Sequence, residues 1–162
     1  MQILVVMLAM AAGVFVWFTG QAMPPIVASH FNAAGIANGF MPRAAYLGLM
    51  MVLVAAVPLV TMVMSGVALS KPGARINLPN RDYWLAPERR AGTIAFLQAH
   101  MAGFSALLVV FLAYGHWLVV RANLSGAQQL QAGWMQAGLC VFIGATILWI
   151  VLLIARFRRP AG

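Results

Sequence analysis

This chain of 162 residues contains three histidines and two carboxylates, which are the side chains that could take part in catalysis or bind a metal. Asp82 and Glu88 are the only acidic residues, and each has an arginine next to it in sequence. Nearby cations favour the ionised form of a carboxylate, so these two make a poor general acid/base pair. We predict no catalytic residues and a protein that is not an enzyme.

The histidines are the candidate ligands for a metal or haem. His100 and His116 belong to one apolar run and lie about 24 Å apart along a helix, so they cannot share one ion or haem. His30 and His116 could meet at one membrane face, as a two-nitrogen site that is weak for zinc and possible for copper with a nearby methionine. We predict no cofactor. The alternative function is a redox or metal membrane protein that holds haem or copper through His30 and His116 or through His100.

The composition predicts that lipid surrounds most of the chain. Hydrophobic residues make up 64% and charged residues 7%, which is too little polar surface to cover a soluble core. The net charge of +8 would suggest nucleic acid on a soluble domain. Here the basic residues cluster in one connecting loop and a tail, so we exclude nucleic acid as a partner. Cys140 lies inside an apolar run, and we interpret it as a buried, inert thiol.

Four uncharged apolar runs predict four transmembrane helices in a single domain, residues 1–162. The expected fold is an all-α membrane protein with a compact four-helix bundle, in which Pro58 kinks the second helix and Thr61 or Ser65 satisfies the freed carbonyls. No basic segment precedes the first run, so we interpret it as a retained span. The expected spans are residues 3–22, 44–69, 93–120 and 133–155, joined by outer loops at 23–43 and 122–132 and an inner loop at 71–92.

The basic residues predict the orientation. The inner loop carries five of them and the tail three, whereas the outer loop at 23–43 carries only Arg43 and the other outer connection has only Arg121 at its start. The positive-inside rule then places both termini in the cytoplasm. Anionic lipids are the expected partners of the basic inner face.

The outer loop at 23–43 is too polar to be a lipid-soluble helix. His30 and Asn32 could contact a peptide, a metal or a partner subunit, or they could bond to backbone groups and hold the loop in shape, as Asx turns do. Asn38 and Gly39 form a dipeptide that is typical of tight turns. We expect a short structured element docked on the membrane face.

A motif in this loop resembles that of a known family. It reads Pro-x4-His-Phe-Asn-x2-Gly-x3-Gly and consists of Pro25, His30, Phe31, Asn32, Gly35 and Gly39. It resembles the signature of an uncharacterised bacterial membrane domain that also occurs in the sporulation-delay toxin immunity proteins. Relatives often carry an acidic residue where this chain has Asn38. The resemblance implies a multi-span inner-membrane protein with an immunity or signalling role.

The inner loop carries a second segment similar to one in close relatives of that family. We interpret it as a folded interfacial loop held by arginine–carboxylate pairs, with a docking surface for a cytoplasmic protein as the functional alternative. Asn80 or Asp82 is expected to cap a short helical turn, and Glu88 to begin the third helix. Its candidate residues are Asn77, Pro79, Asn80, Arg81, Asp82, Tyr83, Trp84 and Glu88.

These observations favour a non-enzymatic inner-membrane protein. Its expected role is partner binding, as an immunity, sensing or accessory-subunit protein that uses the outer loop at 23–43 and the inner loop at 71–92. The expected partner is a second protein or another copy of the same chain.

Overall fold

Four long apolar helices account for most of the structure, a computed structural model that describes residues 1–71 and 76–158. Each is long and apolar enough to cross a membrane, which makes this a multi-pass membrane protein as predicted. Arg75 and Arg159, counted above among the basic residues, lie outside the described residues. The helices are α1 (Gln2–Gln21), α2 (Arg43–Met51) continued through a π-helical turn (Val52–Ala56) into α3 (Val57–Ser70), α5 (Pro87–Leu124) and α6 (Ala132–Arg158), and a short α4 (Arg81–Trp84) precedes α5.

The expectation of an all-α protein is wrong at the connection between the first two spans. Residues there form an antiparallel hairpin of β1 (Ile26–Phe31) and β2 (Ala37–Pro42). The β-branched and aromatic residues of β1 suit a strand. β2 pairs with it from Ile26 opposite Pro42 to Phe31 opposite Ala37, and the register shifts on either side of His30. The first membrane-spanning pair of helices is thus joined by a folded hairpin.

The third span is longer than the apolar run predicts. Helix α5 begins at Pro87, which needs no N–H partner in the first turn, and Glu88 follows with its charge at the positive end of the helix, as expected. The helix ends at Leu124, four residues beyond the predicted limit. It therefore joins the two membrane faces directly and carries polar residues at both ends.

Pro58 is accommodated by the π-helical turn that precedes it. The Val57 N–H bonds to the Val52 carbonyl, five residues back, instead of the carbonyl four residues back. The expectation that Thr61 or Ser65 satisfies the carbonyl freed by Pro58 is wrong. Their hydroxyls donate to the carbonyls of Val57 and Thr61 within the same helix.

The helices form a three-helix core with a fourth helix outside it, rather than the expected compact four-helix bundle. Helix α1, the α2–α3 helix and α5 share the buried cluster under the hairpin. Helix α6 packs mainly against α5, and among its described residues only Phe157 is buried. Cys140 is exposed on this helix, which corrects the expectation of a buried thiol.

Candidate functional site

Both polar ends of the helical core are folded, and we name them by their contents. The hairpin face comprises residues 25–43, which include β1 and β2, and residues 121–131. The arginine face comprises residues 76–92 and the last turn of α6, residues 155–158. Every candidate residue of the sequence motifs lies at one of these two faces.

Asn32 closes the hairpin turn. Its Oδ1 accepts hydrogen bonds from the backbone N–H groups of Ala34 and Ile36, both at 3.0 Å. The Asn32 carbonyl accepts from the Gly35 N–H at 2.8 Å, and Gly35 adopts a φ of +81°. The Asx-turn interpretation of Asn32 is therefore confirmed, and a left-handed conformation explains the glycine.

Asn38 and Gly39 do not form the predicted tight turn, because both belong to β2. Gly39 lies opposite His30, and a Cβ on Gly39 would come within 2.8 Å of the His30 Cβ. Asn38 Oδ1 accepts a hydrogen bond from His30 Nδ1 at 2.5 Å. When this ring is neutral, its lone pair is therefore on Nε2, and the side chain is exposed.

Asn123 of α5 attaches the hairpin to the helical core. Its Oδ1 accepts from the Ala28 N–H at 2.8 Å, and its Nδ2 donates to the Ala28 carbonyl at 2.9 Å. Nδ2 also donates to the Val119 carbonyl at 2.9 Å. Asn123 and Ala28 are both buried, so this side chain supplies the hydrogen bonds that a third strand would otherwise give β1.

Residues 125–131 hold the other end of the hairpin. The Leu130 N–H bonds to the Gly35 carbonyl at 2.8 Å, and Ile36 pairs with Gln129 as an isolated antiparallel bridge. Phe31 packs on the buried Leu130. The two loops of this face therefore fold as one unit.

Arg43 joins the hairpin to the end of α1. Its guanidinium donates to the carbonyls of Gln21 and Met23 at 2.9 and 2.7 Å, and its own N–H bonds to the Pro25 carbonyl at 2.8 Å. A cation suits the negative end of a helix. Pro25 of the motif thus serves the junction between helix and hairpin.

A cleft of about 380 Å³ opens between the hairpin and the start of α6. Phe31, Leu130 and Met135 give it an apolar floor, and polar side chains stand at its rim. The rim residues are Ser29, His30, Asn32 and Gln136. The cleft brings the His-Phe-Asn part of the motif together with residues that the sequence analysis did not single out.

His116 lies beneath the hairpin in a buried chain of hydrogen bonds between three helices. Thr19 uses its one hydroxyl hydrogen on the Phe15 carbonyl at 2.6 Å, so it accepts from His116 Nε2 at 2.9 Å. Nδ1 of this neutral ring then accepts from the Tyr46 hydroxyl at 3.1 Å. Both ring nitrogens are used within the protein, so His116 does not form the two-nitrogen site with His30 that was considered as an alternative.

We expect the double variant His116→Phe with Tyr46→Phe to be more stable than the sum of the single variants implies. His116→Phe alone leaves the buried Tyr46 hydroxyl without its partner, a cost of about 1–3 kcal/mol. Removing both partners relieves that cost. Equilibrium unfolding of the detergent-solubilised protein by SDS measures the coupling, expected at about 1 kcal/mol.

Tyr114→Phe provides the matched control, because the Tyr114 hydroxyl bonds to the Trp134 carbonyl and belongs to a different contact. Its combination with His116→Phe should be additive. Equal coupling in the two pairs would contradict the assigned hydrogen-bond chain.

His100 links α5 to α6. Its ring lies between Trp149 and Phe96, with centroids 4.5 and 5.5 Å away and nearly parallel planes. Nε2 donates to the Trp149 carbonyl at 3.0 Å, and Trp149 Nε1 donates to the His100 carbonyl at 2.9 Å. The contacts of His100 are thus those of a helix–helix junction.

Within residues 1–71 and 76–158, no three His, Cys, Asp or Glu side chains are grouped as a metal site would require.

At the arginine face, the loop caps the end of α6. Asn80 has a φ of +51° and begins α4, but its side chain does not cap that helix as predicted. Its Nδ2 donates to the carbonyls of Phe157 and Arg158, both at 3.0 Å, and Trp84 Nε1 donates to the Phe157 carbonyl at 3.1 Å. Thr93 of α5 in turn donates to the Trp84 carbonyl at 2.8 Å. The segment therefore satisfies carbonyls that the helix end leaves open.

Arginine–carboxylate pairing explains less of this loop than expected. Glu88 pairs with Arg89 at 2.8 Å, whereas Asp82 forms no ion pair with another described residue. Two of the arginines contact aromatic rings instead. The guanidinium of Arg89 lies 4.1 Å from the Tyr83 ring centroid, and that of Arg156 lies 4.5 Å from the Trp84 ring centroid. Four further motif residues lie in the same segment and are mostly exposed, namely Asn77, Pro79, Arg81 and Asp82.

Comparison with protein-family models, with curated proteins and with solved structures gives no significant match to this chain. The resemblance to the immunity-protein family therefore stays a prediction.

Proposed function

We propose that this protein is a non-enzymatic component of a bacterial inner membrane, with both termini in the cytoplasm, that binds an extended segment of a partner protein at its hairpin face. An immunity, sensing or accessory-subunit role fits such binding. The observation that supports it best is the cleft between the hairpin and α6, which places His30 and Asn32 beside an apolar floor.

The size and lining of the cleft suit a peptide side chain. Its volume of about 380 Å³ lies at the low end of the range for ligand sites, which is about 300–1,000 Å³. An apolar side chain would contact Phe31 and Met135. Backbone N–H groups beside it would find an acceptor in His30 Nε2. An extended peptide supplies both kinds of group at once.

The anchoring of the hairpin supports this role. Asn123 and Leu130 hold its two ends on the helices, so the cleft walls are fixed before a partner arrives. A preformed site loses less conformational freedom on binding than a mobile loop does. The inner segment fits a different role, because Asn80 and Trp84 use their side chains to bind α6.

The orientation rests on charge. Eight of the ten basic residues belong by sequence to the arginine-face loop and the tail, and the hairpin face has Arg43 and Arg121. The positive-inside rule supports a cytoplasmic arginine face and an external hairpin face. The partner would then reach the cleft from outside the cytoplasm.

Photo-crosslinking in the native host tests the proposal. Benzoylphenylalanine at Gln136, in the cleft wall, should give one discrete adduct with a second protein. The same group at Ala127, exposed on the same face but outside the cleft lining, should not. His30→Ala should reduce the Gln136 adduct by about ten-fold, since a lost hydrogen bond in a binding site costs about 1.4 kcal/mol.

Peptide sequencing of the adduct should place the crosslink in an extended segment next to an apolar residue. Equal adducts from Gln136 and Ala127, no adduct from Gln136, or an adduct that His30→Ala leaves unchanged would each contradict the proposal. Membrane extraction and immunoblotting confirm that every variant inserts in equal amount.

A further inference from the structure

A pocket at the arginine face is separate from the hairpin and its cleft. Its volume is about 270 Å³, and it lies between the first turns of α5 and the last turn of α6. Two arginines, Arg89 and Arg156, line it together. The other lining residues are Trp84, Glu88, Gly92, Thr93, Phe96 and Phe157.

The floor of this pocket is rigid. Trp84, Thr93 and Phe157 are buried, at 6%, 5% and 1% exposure. The Trp84 indole is fixed at one end by its bond to the Phe157 carbonyl, and its ring meets the Phe157 ring edge-on at 5.4 Å. The polar groups of the floor are thus already bonded, and the pocket's charge comes from its walls.

The walls of the pocket carry two guanidinium groups that contact aromatic rings. Arg156 lies over Trp84 and, at 5.7 Å, over Phe96, and the structure gives it no carboxylate partner among the described residues. Arg89 is paired with Glu88, but its side chain is still 40% exposed. Ring stacking orients a guanidinium without neutralising it, so its donors remain available for an anion.

The position of the pocket along the membrane-spanning helix indicates which anion it would meet. Gly92, Thr93 and Phe96 belong to the stretch where the polar start of α5 passes into its apolar run. A helix leaves the hydrocarbon layer at this point, and lipid phosphates lie there. The planar fork of an arginine matches a phosphate group in a bidentate manner.

We propose that this pocket binds the phosphate of an anionic phospholipid headgroup, with Arg156 as the principal contact and Arg89 as the second. The apolar sides of Phe96 and Trp84 would contact the glycerol end of the same lipid. The excess of basic over acidic residues at this face, eight against two by sequence, leaves the site in need of an anionic partner.

Lipid titration of the delipidated protein in detergent tests the site. One readout is the tryptophan fluorescence of the protein, to which Trp84 contributes, and the second is native mass spectrometry. The probes are short-chain phosphatidylglycerol, phosphatidylcholine of the same chain length, and inorganic phosphate. Phosphatidylglycerol should saturate one site. Phosphatidylcholine should bind at least about ten-fold more weakly, since its choline brings a second cation toward the two arginines.

Arg156→Gln should weaken phosphatidylglycerol binding about ten-fold, as expected for one lost charge-assisted contact. Arg158→Gln is the matched control, because it removes the same charge two residues away, outside the pocket lining, and should change the affinity less than about two-fold. Arg89→Gln, on a different helix, should also weaken binding and provides a second variant if Arg156→Gln does not fold.

Four results would overturn the proposal. Equal losses in Arg156→Gln and Arg158→Gln would show diffuse attraction to the basic face. Equal binding of phosphatidylcholine would show detergent-like contact. Saturation by millimolar inorganic phosphate that displaces the lipid would show a site for the free anion. An unfolded Arg156→Gln together with an unchanged Arg89→Gln would also contradict it.

Discussion

Asn123→Leu is expected to destabilise the hairpin face by about 3 kcal/mol. The side chain satisfies both backbone groups of Ala28, which is fully buried, and leucine of similar volume satisfies neither. An unpaired buried backbone group costs about 1–3 kcal/mol, and part of that cost is relieved if the hairpin separates from α5. Hydrogen exchange measured by mass spectrometry in nanodiscs should show lost protection in β1 with α1 and α5 unchanged.

Asn38→Leu is the control for this prediction. Asn38 lies on the same hairpin and bonds to His30, but the contact is exposed to solvent. Its loss should cost about 0.5 kcal/mol or less. If the two variants exchange alike, the attachment of β1 to α5 does not depend on Asn123.

Gly35→Ala is the second change with a large expected effect. A Cβ at this position would overlap the Leu130 carbonyl oxygen, and the φ of +81° disfavours any side chain. The backbone strain costs about 1 kcal/mol, and separation of residues 129–130 from the hairpin raises the total to about 3 kcal/mol. A fall in thermal unfolding temperature in detergent, with faster exchange at Leu130, would report it.

Gly126→Ala separates the backbone strain from the steric contact with Leu130. Gly126 has a φ of +69°, close to that of Gly35, and a Cβ there would meet open space. It should therefore show the backbone cost alone, about 1 kcal/mol. Equal destabilisation by the two alanines would mean that the contact with Leu130 contributes nothing.

The spans were predictable because transfer of uncharged runs into lipid dominates all local preferences. The packing of those spans against one another could not be predicted. Helix α6 is as apolar as α1 on all sides, so its composition does not reveal that it lies outside the core. The contacts that fix its place, such as His100 with Trp149, join residues 49 positions apart and leave no local pattern.

The hairpin shows the same limit on a smaller scale. Ile26–Phe31 has strand-forming residues, whereas Asn38 and Gly39 are typical of a turn. The tertiary environment decides: His30 needs a partner without a side chain, and Asn32 and Gly35 already close the chain reversal. The sequence motif thus contains three residues of the cleft lining, His30, Phe31 and Asn32, but the turn was predicted at Asn38 and Gly39, in the wrong part of the hairpin.

The link between Ala28 and Asn123 has a consequence for biogenesis. The two residues are 95 positions apart, so β1 leaves the translation machinery well before the side chain that bonds it. At about 5–20 residues per second, the wait lasts about 5–20 seconds. During that interval β1 and β2 can pair with each other, but the hairpin cannot dock on α5. The hairpin face, and with it the proposed binding cleft, is therefore completed only after the third span has been inserted.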